Sequence, residues 1–94
     1  MKIVFLDADT IGSDISLAPI ESKGELVLYP RTPQELVDER IAGFDVVITN
    51  KVQIRKSHID KASSLKLVCV AATGTNNVDV EYAESKGIPV RNVA

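Results

Sequence analysis

The chain is expected to fold as an α/β protein, a doubly wound three-layer sandwich around one parallel β-sheet, and two features predict this. Short apolar, β-rich runs recur at near-even spacing over residues 2–7, 26–29, 45–49, 67–71 and 89–93. Between them lie stretches punctuated by helix caps and stops. Parallel neighbours cannot be joined by tight turns, so the order strand, helix, strand demands right-handed crossovers that lay helices on the sheet faces. The 94 residues suffice for one compact domain with a modest core and are too few for two, so residues 1–94 are read as one domain.

Lys2-Ile3-Val4-Phe5-Leu6-Asp7 is a continuous apolar run, the pattern of a strand covered on both faces and hence central in the sheet. From Thr10 to Gly24, Gly12, Ser13 and Ser16 favour a loop, followed by a short helix over Leu17 to Ser22 despite Pro19. Leu26 to Tyr29 forms the second strand. Thr32 then offers a capping hydroxyl, Pro33 suits the first helical position, and Glu35 follows three residues after Thr32. Leu36, Val37 and Ile41 supply the apolar face of that helix, which stops at Gly43. Asp45 to Thr49 is the third strand. Ser57 is placed to cap a short helix whose Ile59 and Ala62 face inward. Leu67 to Ala71 is the fourth strand. Asp79 caps the next helix, Glu81 lies near its positive end and Lys86 near its negative end, and Gly87 stops it. Pro89 to Val93 completes a flavodoxin-like, five-stranded parallel sheet.

The hydrophobic fraction of 45% is that of an ordinary globular chain, and the net charge of -2 arises from 11 basic and 13 acidic residues without a block of like charge. Neither nucleic acid nor an anionic membrane is therefore an expected partner. No apolar run approaches the roughly 18 residues of a membrane span. MKIVFLDADT acquires acidic residues too early for a secretory segment. A cytoplasmic location is expected. Cys69 has no internal disulfide partner and reads as a small buried hydrophobe in its strand.

In an open doubly wound sheet, ligands bind beyond the C-terminal strand ends, near the point where strand order reverses. Those ends carry Asp7, Ala8 and Asp9; Pro30 and Arg31; Thr49, Asn50 and Lys51; Ala72, Thr73 and Gly74; and Val93 and Ala94. A phosphorylation-switch reading fails, because the third strand ends Ile48-Thr49-Asn50 without an acceptor Asp and the last strand carries Arg91 rather than a Lys-Pro pair. Flavin binding fails because no hydroxyl-rich phosphate loop follows the first strand. Asp7 and Asp9 read as a turn and its cap. Arg31, Arg55 and Arg91 read as solvated surface charges.

The stretch AATGTNNVD, from Ala71 to Asp79, is the most informative. Thr73-Gly74-Thr75 can turn backbone N–H groups outward as an anion cradle, with Gly74 allowing close approach. Asn76 and Asn77 then carry the chain round to the helix capped by Asp79. A tight strand-to-helix connection without a ligand fits the same spacing.

The block from Leu67 to Asp79, continued by Glu84-Ser85-Lys86-Gly87-Ile88-Pro89-Val90 and Asn92, resembles the N-terminal substrate domain of the D-isomer-specific 2-hydroxyacid dehydrogenases, in particular their glycerate dehydrogenase (hydroxypyruvate reductase) branch. Lys2 to Asp7, and Val46 to Lys51 before Ile54, add to the resemblance. It implies a longer two-domain enzyme in which this Rossmann-like, flavodoxin-like domain faces an NAD-binding domain of the same chain. There a small 2-oxo acid such as hydroxypyruvate or glyoxylate is reduced to the D-2-hydroxy acid with NAD or NADP as cofactor. It further implies that Thr73 and Gly74 hold the substrate carboxylate through main-chain amides, that Ala72 lines the site, and that Asn50 or Lys51 makes a second contact. Many members have glycine where this chain has Ala72, which narrows the approach there.

The same resemblance implies an acid/base His, a Glu that orients it and an Arg that polarises the carbonyl, all beyond Ala94. No catalytic, cofactor-binding or metal-ligating residue is then expected within these residues, and no bound cofactor or activity from them alone. His58, the only histidine, sits at the start of a helix and reads as structural or exposed. The parent is expected to be a homodimer. Two rivals share the architecture: a nucleotide-sensing corepressor without enzymatic activity, separated by loss of the Arg, Glu and His set, and a stand-alone binding module, separated by carboxylate affinity without a second domain.

Overall fold

β1 (Lys2–Phe5) is flanked by β2 (Glu25–Leu28) on one side and β3 (Val46–Thr49) on the other, with β4 (Leu67–Val70) and β5 (Val90–Asn92) beyond β3. The computed structural model describes residues 1–10, 24–71 and 77–92. All four strand pairings are parallel, and the order is β2-β1-β3-β4-β5. This is the predicted sheet, with strand ends moved by one or two residues from the apolar runs. The chain leaves β1 for one edge and returns to the other side of β1 at β3, so strand order reverses between their C-terminal ends.

Alternation along the strands divides the apolar side chains between the two faces. Val4, Val47, Val68, Val70 and Val90 lie on one face with Val37 and Ile41 of α1 (Val37–Ile41), Ile59 of α2 (Lys56–Lys61), and Ala83 of α3 (Val80–Ser85). Ile3, Phe5, Val46 and Ile48 form a second buried cluster on the other face. β1 is buried from Ile3 to Phe5 and β3 along its whole length, as the unbroken apolar runs require of central strands. The edge strand β2 has no fully buried residue, and Leu28 is 47% exposed. The helix expected over Leu17–Ser22 lies outside the described residues. Among the described residues no helix is long and apolar enough to cross a membrane.

Two expected caps are replaced. Thr32 does not cap α1: Pro33 is extended, a 3-10 turn over Gln34–Leu36 precedes the helix, and no side chain caps either piece. The Thr32 hydroxyl instead donates to Leu6 O at 2.7 Å and accepts from Arg40 Nη1 at 2.9 Å, fastening the helix entry to the end of β1. Its proton goes to a buried carbonyl and the Arg40 guanidinium donates to its oxygen, a charge-assisted bond that outweighs one from a helix N–H that water can reach. Ser57 is likewise displaced as the cap of α2, because Arg55 holds the N-cap position and its N–H donates to His58 Nδ1 at 2.9 Å. His58 is therefore structural.

Other punctuation stands as the sequence predicts. Asp79 Oδ1 accepts from Tyr82 N–H at 3.2 Å at the start of α3. Gly43 and Gly87, past the ends of α1 and α3, have φ of 81° and 78°. A methyl group at Gly87 would meet no atom within 4 Å, so Gly87→Ala has only a backbone cost. That cost is about 1–2 kcal/mol. The variant is expected to lower the urea midpoint by the corresponding amount without altering the denaturant slope.

Candidate functional site

The C-terminal strand ends are shaped by a buried acid. Past β1, Leu6 N–H still pairs with Ile48 O at 3.0 Å, and Ala8 N–H reaches Tyr29 O at 3.0 Å. Asp7, between them, is only 2% exposed at the reversal point of the sheet. Its Oδ1 accepts from Asn50 N–H at 2.8 Å, and its Oδ2 from Lys51 N–H at 2.6 Å and Val52 N–H at 3.2 Å. Charge-assisted bonds of this kind replace the water shell that burial removes from a carboxylate. The expectation that Asp7 marks a simple turn is corrected: it is a clamp on the backbone beyond β3. Asp9 is exposed and lies 3.7 Å from Arg31, a surface ion pair of small energetic weight.

The clamped turn is braced internally and on its far side. Thr49 Oγ1 donates to Val52 O at 2.9 Å, and Ala71 N–H donates to Thr49 O at 2.9 Å. Ile54 and Val78 form a parallel bridge, in which Ile54 N–H donates to Asn77 O at 2.8 Å and Asp79 N–H to Ile54 O at 2.9 Å. Asn77 Nδ2 adds a bond to Val52 O at 2.9 Å. The turn beyond β3 is thus held by Asp7 on one side and by Asn77 on the other. These contacts join the β3 end to Ala71 and Asn77, the described residues on either side of positions 72–76.

Of the expected site residues, Asn50 is half-buried and Lys51 exposed, side by side in the clamped turn. Their main-chain N–H groups are committed to Asp7 and so are not offered to a ligand. Ala72, Thr73 and Gly74 lie outside the described residues. Sequence reading missed the role of Asp7, although the signal was present: an acidic residue that continues a strand buried on both faces must find partners.

Other polar features are poorer sites. A groove of about 370 Å³ beside α3 is lined by Lys56, Asp79, Glu81, Tyr82 and Ser85. Its two carboxylates, Asp79 and Glu81, against the single Lys56 oppose an anion. The Tyr82 ring lies under Lys56 and Lys86, while the Tyr82 hydroxyl donates to Asp60, whose bond raises the phenol pKa above its usual value. Among the described residues no group of three or more His, Cys, Asp or Glu could hold a metal ion.

The fold and this strand-end geometry define a doubly wound α/β domain in which the turn beyond β3 is braced from both sides. The chain belongs to the D-isomer specific 2-hydroxyacid dehydrogenase family, whose catalytic-domain model matches residues 3–94. It is 40% identical over 97 aligned positions to the hydroxypyruvate reductase of Blautia hydrogenotrophica, covering 99% of this chain and 30% of that one. It is 37% identical over 94 positions to the glycerate dehydrogenase of Methylorubrum extorquens, covering 98% and 29%. The NAD+-bound 3-phosphoglycerate dehydrogenase of Entamoeba histolytica superposes with a TM-score of 0.80 at 28% identity, covering 98% and 32%. The chain therefore spans about 30% of the length of the curated relatives it matches.

The described residues do not fit a dinucleotide at the reversal point, where doubly wound folds bind one. The amides that could cradle a pyrophosphate are taken by the Asp7 carboxylate, whose charge would repel it. Cys69 is half-buried, and burial pushes its thiol pKa up while Arg91 pulls it partly back. A raised pKa leaves less thiolate at a given alkaline pH. Iodoacetamide at pH 8.5 is therefore expected to modify Cys69 more slowly than a free thiol, with the difference abolished in urea.

Proposed function

We propose that residues 1–94 form the substrate-binding domain of an NAD(P)-dependent 2-hydroxyacid dehydrogenase that reduces a small 2-oxo acid, such as hydroxypyruvate or glyoxylate, to the D-2-hydroxy acid. The observation that carries this reading is the family membership of a domain whose β3 turn is locked to the flank of its glycine loop. Hydroxypyruvate reductase and glycerate dehydrogenase among the relatives favour a short, hydroxylated oxo acid. The dinucleotide and the groups that transfer protons belong to a second domain of the full-length protein.

Within this division of labour, Thr73 and Gly74 present main-chain N–H groups to the substrate carboxylate, Ala72 lines the pocket, and Asn50 and Lys51 contribute side chains from the adjacent turn. Neutral amides suit this task, since the carboxylate keeps its charge while the neighbouring carbonyl is reduced. Holding it fixes the distance and angle of C2 toward the second domain without any proton changing hands here. The Lys51 ammonium adds attraction for the anion as it approaches.

Full-length protein is expected to oxidise NADH or NADPH when given hydroxypyruvate or glyoxylate; no turnover with any small 2-oxo acid would refute the assignment. Gly74→Val is expected to lower kcat/KM by about 100-fold, the scale of a displacement of about 1 Å in a bound substrate. An unchanged kcat/KM would make that loop a connector only.

A further inference from the structure

The buried carboxylate at the reversal point has a task beyond holding the fold together. We infer that Asp7 is a positioning residue for substrate binding: its carboxylate fixes the Asn50–Lys51 turn, and Asn77 locks that turn to the flank of the glycine loop. This rests on the proposed function and deepens it.

Asp7 and the proposed substrate contacts come from opposite sides of the sheet's reversal point. Asp7 is 43 residues from Asn50 in sequence, yet its two oxygens receive three consecutive N–H groups, from Asn50, Lys51 and Val52. Three consecutive amides converging on one point form the kind of concavity that binds a free anion. Here an internal carboxylate occupies it permanently, with two consequences. The turn cannot rotate its amides outward, so the direction in which the Asn50 and Lys51 side chains leave the backbone is set by Asp7. An anionic substrate is also turned away from the β1 side and toward the β4 side, where Ala71 and Asn77 flank the Gly74 loop.

The coupling between the two sides is explicit. Val52 donates its N–H to Asp7 and accepts at its carbonyl from Asn77 Nδ2, so one peptide-linked residue is gripped from both directions. Two residues on, Ile54 pairs with Asn77 and Asp79 through main-chain bonds. Loosening either grip lets the Asn50 and Lys51 side chains drift from the substrate carboxylate, which weakens its binding while the amides that orient it and the remote proton-transfer groups are untouched. Weaker ground-state binding with intact chemistry appears as a raised KM at constant kcat.

The test uses the full-length enzyme, with kcat expressed per cofactor-binding site so that unfolded protein is not counted. Asp7→Asn turns an amide NH2 toward at least one of the three N–H donors, and is expected to raise the KM for hydroxypyruvate about tenfold with kcat within about twofold. Asp7→Ala is expected to behave similarly and to be rescued by formate, whose carboxylate fits the vacated amides, but not by equal chloride. Asn77→Ala, at a half-buried position, gives a smaller KM rise and decides the matter if the Asp7 variants do not fold. A merely structural Asp7 would lower the number of active sites and leave KM unchanged, which overturns the inference while the proposed function stands. Wild-type protein inactive on every 2-oxo acid overturns both.

Discussion

The grip of one buried carboxylate on three successive backbone amides organises the C-terminal edge of the sheet where its strand order reverses. Asp7 is carried there by β1, a central strand buried from Ile3 to Phe5, and it anchors a turn that the parallel ladder alone would leave free after Thr49. A buried acid is costly unless its oxygens are satisfied, and an amide turn is floppy unless its donors are. Each solves the other's problem. The rest of the edge follows: the Thr49 hydroxyl closes the turn onto Val52, and Asn77 joins it to the chain beyond the glycine loop.

The same interaction sets what the reversal point of this doubly wound sheet can offer a ligand. Domains of this topology offer ligands the amides at their reversal point. Here the three amides beyond β3 already have an internal acceptor in Asp7.

The sheet was legible in the sequence because its strands are unbroken apolar runs, and the stops at Gly43 and Gly87 were legible because left-handed backbone is a local need of glycine. Asp79 was legible as a cap for the same reason of locality. What escaped was long-range polar pairing. Thr32 looked like a helix cap and serves the end of β1; Ser57 looked like another, and the imidazole of His58 takes the Arg55 N–H. Asp7 looked like a turn former because its amide partners lie 43 to 45 residues away, a separation on which periodicity is silent. The family resemblance pointed to Asn50 and Lys51, but nothing local in the sequence shows that their N–H groups already have an acceptor in Asp7.

The central claim concerns place: where the substrate carboxylate sits relative to Asp7. A crystal structure of the full-length protein with an unreactive 2-oxo acid mimic such as oxamate measures this directly. The account predicts the oxamate carboxylate against the Thr73–Gly74 amides, within reach of the Asn50 or Lys51 side chain, with Asp7 still receiving the amides of Asn50, Lys51 and Val52. A carboxylate bound to those three amides, with Asp7 swung away, would contradict it.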